Sequence, residues 1–253
     1  MVMQLKDVLT ILDGIAPFAT AEEWDNVGLM VGDPAQEVRS VLVALDPTVS
    51  AIEEAVRQGV DLIITHHPLI MSPIKRLDLA QGAARKIGML IRTGISLVSM
   101  HTNLDAAPGG VADVFAERLS LQDVQSLGPL RLGTIPAEMP LDAWARALPF
   151  EDMRIVDAGR SVKHISACPG SGMSYLKDAI EKGCDTLVTG DVRYHAALDA
   201  FEAGVNVVDL GHFNTEQIAL EPLARRLRRE MEPLSVQVHT AQDIFTTHKG
   251  EHT

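Results

Sequence analysis

The sequence predicts an α/β protein of two pseudo-symmetric lobes, each a mostly parallel sheet flanked by helices. Three observations predict this. Short apolar runs alternate with amphipathic stretches along most of the chain, the pattern of strand–helix–strand units. A segment recurs: AIEEAVRQGVDLIITHH (51–67) aligns with YLKDAIEKGCDTLVTGD (175–191), matching Ala55, Gly59, Asp61 and Thr65 to Ala179, Gly183, Asp185 and Thr189. Finally, four of the apolar runs empty into histidines and carboxylates.

In chain order, 4–16 reads as a helix with Pro17 just past it, and VLVALD (41–46) as a strand. Thr48 or Ser50 can cap the helix AIEEAVRQ, which Gly59 stops. LIIT (62–65) is a buried strand, GAARKIGMLIR a helix, ISLVSM (95–100) a third strand and 110–118 another helix. The stretch 120–160 carries Pro129, Pro136, Pro140 and Pro149. It reads as turns around one short helix, LDAWARAL, and as the domain junction. The first lobe is therefore set at 1–125, with the middle segment running to about 160, and the second at 160–253. In the second lobe 164–167, 186–189 and 205–210 read as strands. There 174–182 and 194–202 read as helices, 215–229 as one long helix and 235–239 as a last strand. A polar tail after Thr246 is expected to fray.

Composition narrows the function classes. With 46% hydrophobic and 22% charged residues, 253 residues can bury a sizeable core, mainly aliphatic because aromatics are only 4%. The formal charge of −12 sets an acidic field, so nucleic acid is not expected as a partner, whereas local capture of metal cations is permitted. No apolar run approaches the roughly 18 residues that span a bilayer, and charges interrupt the N-terminal stretch. No membrane association is expected, and the protein is read as cytoplasmic. Cys168 and Cys184 fall in no paired motif and read as small buried side chains.

The chemistry collects after the strands. LIIT runs into His66-His67-Pro68, and ISLVSM into His101 and then Asp105. TLVT runs into Gly190-Asp191 and then His195, and VNVVDL into Gly211-His212 and then Glu216. Ligands of open α/β sheets bind outside the carboxyl ends of the strands. A mixed imidazole and carboxylate set without thiolate suits Zn, Fe(II) or Mn, and five such donors fit two divalent ions about 3.5–4 Å apart. Glu216, four residues after His212, is the candidate bridge. Each residue also has a plainer reading. HHP fits a surface loop, Asp105 a helix N-cap and Glu216 a first-turn glutamate favoured by the helix dipole. His101 and His195 read as substrate-facing groups or supports rather than ligands. Asp191 either orients a histidine or closes a turn.

The blocks EEWDNVGLMVGD, VDLIITHHPLI, SLVSMHTNLDAAPGG, VTGDVRYHAALDA and NVVDLGHFNTE, in this order, resemble the signatures of the Nif-three-like dinuclear-metal family. Its bacterial YbgI-type members are often labelled GTP cyclohydrolase I type 2 homologs. The resemblance covers nearly the whole chain. It implies two related lobes with the metals in the cleft between them, assembled as a toroidal homohexamer. By motif, His66 and His212 would bind one metal, His67 and Asp105 the other, and Glu216 would bridge. Asn214 departs from the small or aromatic residue expected there and would alter pocket polarity. The short middle matches the form without an inserted domain. In EEWDNVGL, Trp24 is read as packing the N-terminal helix, with Asn26 and Gly28 in a turn near the cleft. Substrate contact is the other reading.

Three functions remain to be weighed. The first is a metal-dependent hydrolase acting on a nucleotide or phosphoester, with the cyclohydrolase-like step implied only by the resemblance and with His101 or His195 as acid or base. The second is a non-catalytic metal-binding ring, a scaffold or metal-homeostasis protein. The third is a nucleotide binder without metals. No G-x-G-x-x-G or P-loop follows any strand, which counts against it.

Overall fold

The structure, a computed structural model, describes residues 2–246. The described chain divides into two units, 2–110 with Ala219–Ala241, and Val111–Ile218 with 242–246.

The first unit is built on a five-stranded sheet in the order Ser235–Val238, Ser40–Ala44, Leu62–Thr65, Ser96–Ser99, Gly28–Val31. The first four strands are parallel and Gly28–Val31 runs antiparallel at the edge. All four residues of Leu62–Thr65 are buried, which is why its sequence is a continuous apolar run rather than an alternating one. Leu42, Ile63 and Leu97 of the sheet pack against Ile52 and Ile87 from the helices Val49–Gln58 and Gly82–Thr93. Thr48 caps the first of these helices, its hydroxyl accepting from the Ala51 N–H at 3.1 Å, and Gly59 ends it in the left-handed region at φ 64°. Register then sets the chemistry: Ala44 pairs with Thr65 and Thr65 with Ser99. The next residues of all three strands therefore leave the sheet at one edge.

The second unit has a six-stranded sheet in the order Gln122–Leu127, Leu130–Met139, Val162–Ala167, Thr186–Thr189, Asn206–Asp209, Arg154–Val156. Only the three middle strands are mutually parallel, and the outer pairings are antiparallel. The mostly parallel sheet expected of each lobe therefore holds for the first unit, while the second is a mixed sheet. Phe115, Trp144, Ile165, Val188 and Val208 lie in its core. Thr189 pairs with Asp209, so these two strands also release their next residues side by side.

The aspartates matched by the internal repeat do the same work in each unit. Asp61 accepts from the backbone N–H groups of Arg39 and Ser40 at 2.7 and 3.1 Å. Asp185 accepts from those of Lys163 and His164 at 3.0 and 2.7 Å. Each carboxylate thus ties a helix–strand junction to the start of the neighbouring strand.

Three further expectations differ from the structure. The 120–160 stretch is not mainly turns, because it holds an antiparallel hairpin and the short Arg154–Val156 strand besides the Leu141–Ala147 helix. Every residue of Gln122–Leu127 is exposed, so it carries no apolar alternation to betray it. The expected helix 215–229 is two, His212–Gln217 and Leu220–Glu230, with Pro222 in the first turn of the second, where its missing N–H costs nothing. The Leu220–Glu230 helix and the Ser235–Val238 strand, assigned by sequence to the second lobe, lie in the first unit, because Ser235–Val238 pairs with Ser40–Ala44. The tail after Thr246 lies outside the described residues, as do His248 and His252. Among the described residues no helix is long and apolar enough to cross a membrane.

Candidate metal centre

In the first unit the three strand ends carry Asp46, His66-His67 and His101. His66 and His67 keep pairing briefly, their N–H groups donating to the carbonyls of Ala44 and Leu45. The Thr65 hydroxyl then donates to the His67 carbonyl at 2.8 Å and closes the turn. Adjacent side chains that would point to opposite faces of a straight strand instead share one cluster. The ring centroids are 5.0 Å apart for His66 and His67, 5.1 Å for His66 and His101, and 5.5 Å for His67 and His101. One ligand atom from each of the three lies within 4.8 Å of the others. Asp105, in the short helix Thr102–Ala106, brings Oδ1 to 3.5 Å from His66 Nε2. The N-cap reading of Asp105 is thereby corrected, since it sits inside one helix rather than ahead of the next.

Each ring is held from behind. His66 Nδ1 donates to the Met100 carbonyl at 3.0 Å, His67 Nδ1 to Asp46 at 2.8 Å and His101 Nδ1 to Asp25 at 2.8 Å. Carbonyl and carboxylate oxygens only accept, so all three rings carry their proton on Nδ1. The nitrogen each can offer a cation is therefore Nε2. Burial and the neighbouring His66 push the His101 imidazole below its ordinary value, against the upward pull of Asp25. Burial raises the Asp25 carboxyl, but hydrogen bonds from His101 and Thr102 outweigh it and leave it below the usual carboxylate value.

The second unit repeats the device. His212 opens the helix His212–Gln217 after Gly211, whose φ of 79° suits a residue without Cβ. Glu216 follows at i+4 and so shares its face, with Oε2 3.1 Å from His212 Nε2. Asp191 accepts from His212 Nδ1 at 2.8 Å. Glu216 is the fifth residue of this helix and is 4% exposed, which corrects the reading of it as a first-turn glutamate. Gly170, at φ 60°, lies against this pair, and a Cβ there would stand 2.3 Å from Glu216 Oε1.

The donor chemistry of these groups suits a divalent cation. It consists of imidazole and carboxylate with the protons of the rings parked on Nδ1, while Cys168 and Cys184 are buried outside the donor clusters.

Comparison with known proteins identifies the family. The family model described as Duf34/NIF3 (NGG1p interacting factor 3) matches residues 3–244. The chain belongs to this family. A Clostridium perfringens relative named GTP cyclohydrolase 1 type 2 homolog is 34% identical, with 91% of this chain and 93% of that protein covered. A Staphylococcus aureus crystal structure superposes with a TM-score of 0.91 at 30% identity, covering 97% of this chain and 99% of that one. Reduced HcgD from Methanocaldococcus jannaschii gives a TM-score of 0.83 at 29% identity over 94% of this chain and 98% of that one.

Other expected positions resolve differently in this Duf34/NIF3 protein. His195 is exposed on the helix Tyr194–Glu202 with its ring 5.5 Å from that of Tyr194, and it joins none of the donor clusters among the described residues. Asn214 turns its amide to the Leu210 carbonyl at 3.0 Å, a backbone role. Trp24 does not pack the N-terminal helix, because it is 61% exposed and edge-on to His101. Gly28 opens a strand. Asp25 and Asp46 escaped the sequence reading. Asp46 ends the VLVALD run and carried the same strand-end signal as the histidines. Asp25 carried none, since its partner is 76 residues away.

Proposed function

We propose that His66, His67, Asp105, His212 and Glu216 hold two divalent metal ions, Zn, Fe or Mn, and that the protein is a metal-dependent hydrolase of a nucleotide or phosphoester. What carries this reading is the anchoring of every histidine proposed as a ligand through Nδ1, to Met100, Asp46 or Asp191. A surface loop has no need of such support. Bound there, two cations would activate water and stabilise negative charge developing on the group under attack. The chain's own residues do the rest. Asp46 and Asp191 fix ring orientation and raise the basicity of His67 and His212. His101, steadied by Asp25 and kept neutral by burial, is the acid–base group of the proposal, with His195 as the alternative. The relatives' printed names favour GTP as the first substrate to try.

The test is elemental analysis of His67→Ala and Glu216→Ala. Both are expected to lose metal, and wild-type content in both would end the proposal. Activity needs its own trial: metal-loaded protein against GTP and generic phosphoesters, with His101→Ala as control. Turnover indifferent to metal and to that substitution would point to contamination, and the absence of metal-dependent turnover would leave the non-catalytic metal-binding ring. A homohexamer, through family likeness, and a cytoplasmic location, through the sequence reading, belong to the same proposal, and light scattering on the purified chain tests the first.

A further inference from the structure

Trp24 combines two properties that rarely meet: a fixed backbone and an open side chain. The turn around it is pinned on both sides. The Glu22 N–H donates to Thr102 Oγ1 at 3.0 Å. Asp25 accepts from His101 Nδ1, from the Thr102 N–H at 3.1 Å and from the Thr102 hydroxyl. The Asn26 side-chain amide donates to the Ile70 carbonyl. These contacts bind residues 22–26 to the two segments that carry the imidazole cluster, the stretch after His66-His67 and the His101–Thr102 step.

Between the pins the indole is 61% exposed. Its ring stands at 81° to that of His101, with centroids 5.9 Å apart. Packing does not account for it, because most of its surface meets no protein. A loose surface aromatic does not describe it either, because its neighbours in sequence are held by five hydrogen bonds. A held aromatic ring in contact with one imidazole of a cluster of three is a surface for stacking. The acidic character of the chain, −12 overall, suits recognition of a ligand ring through its π face rather than through cationic side chains.

We propose that Trp24 is the stacking platform for a planar heteroaromatic ring, such as a nucleobase, in the small molecule that binds at the His66–His67–His101 cluster. The proposal rests on the reading of that cluster as a metal-dependent site and narrows its substrate from a nucleotide or phosphoester to a molecule with a heteroaromatic ring. Asp25 then has two duties: it orients His101 and sets where Trp24 stands.

The experiment uses metal-loaded full-length protein and the probes guanosine, GTP and tripolyphosphate. The chain has two tryptophans, and Trp144 is buried, so Trp144→Phe leaves Trp24 as the only indole reporter. Guanosine and GTP are expected to quench its emission saturably, and tripolyphosphate is expected not to. Trp24→Ala should weaken GTP binding roughly tenfold, the size expected for one lost base stack, while Trp24→Phe keeps most of the affinity. Tripolyphosphate affinity and metal content should stay at wild-type values in both. If Trp144→Phe does not fold, calorimetry on the Trp24 variants supplies the same comparison. Equal GTP affinity in Trp24→Ala and wild type overturns the proposal. So does a change of subunit stoichiometry in Trp24→Ala, which would mean a protein surface covers the indole. Guanosine carries no phosphate, so its quenching reports on stacking even if His67→Ala keeps its metal and the metal reading falls.

Discussion

His101 Nδ1 lies 2.8 Å from Asp25 Oδ1, although the two residues are 76 positions apart. The contact fixes the ring's tautomer, since a carboxylate accepts and Nδ1 must donate. Asp25→Asn leaves an amide that can turn either its oxygen or its nitrogen to the ring. The expected outcome is a mixed tautomer population for His101, read from its ring-nitrogen chemical shifts, with metal content unchanged. A single tautomer identical to wild type would show that Asp25 does not set the ring.

Asp46 and Asp191 stand behind His67 and His212 in the same way. Replacing either by Asn removes charge while keeping an oxygen to accept the ring proton. Metal affinity should fall by about 10- to 100-fold in each, the usual cost of losing such a support. Competition with a chelator measures it. Asn is the right substitution at 191 because the backbone there has φ 55°, a conformation Asn tolerates better than most side chains.

Gly170 and Gly183 separate strain from collision. Both have left-handed φ, 60° and 74°, but a Cβ at 183 meets nothing within 4 Å while one at 170 meets the Glu216 carboxylate. Alanine should destabilise each by about 1 kcal/mol through backbone strain. Only Gly170→Ala should also lower metal content. Urea midpoints and elemental analysis of the pair distinguish the two effects.

Asp185→Ala should destabilise the protein by about 1–3 kcal/mol, because it takes away a buried carboxylate that accepts from the N–H groups of Lys163 and His164. Asp61→Ala should cost less, since Asp61 is only half-buried and water can replace it, whereas Asp185 is buried. Denaturant titration of both variants gives the comparison.

Much of this protein is legible in its sequence. The runs LIIT and TLVT are strands with the bounds their patterns suggest, because fully buried parallel strands favour uncharged, apolar and β-branched residues on both faces. Helix stops fall at Gly59 and Gly183 because a left-handed C-terminal residue favours glycine. His66, His67, Asp105, His212 and Glu216 announce themselves by following such strands. The hairpin 122–139 stays hidden because its outer strand is solvated on both faces and carries no period. The return of Ser235–Val238 to the first unit is equally hidden, because strand pairing leaves no mark in the spacing of the residues that pair.

The sequence by itself therefore determined the α/β class, the family and which side chains are candidate donors, since these depend on local pattern and residue type. Tertiary structure alone decided which oxygen stands behind each imidazole, that Trp24 is open beside His101, and that Gly170 must lack a side chain. Those depend on hydrogen bonds and close approaches between segments far apart in the chain. Such distances exist only once the sheets have set their register.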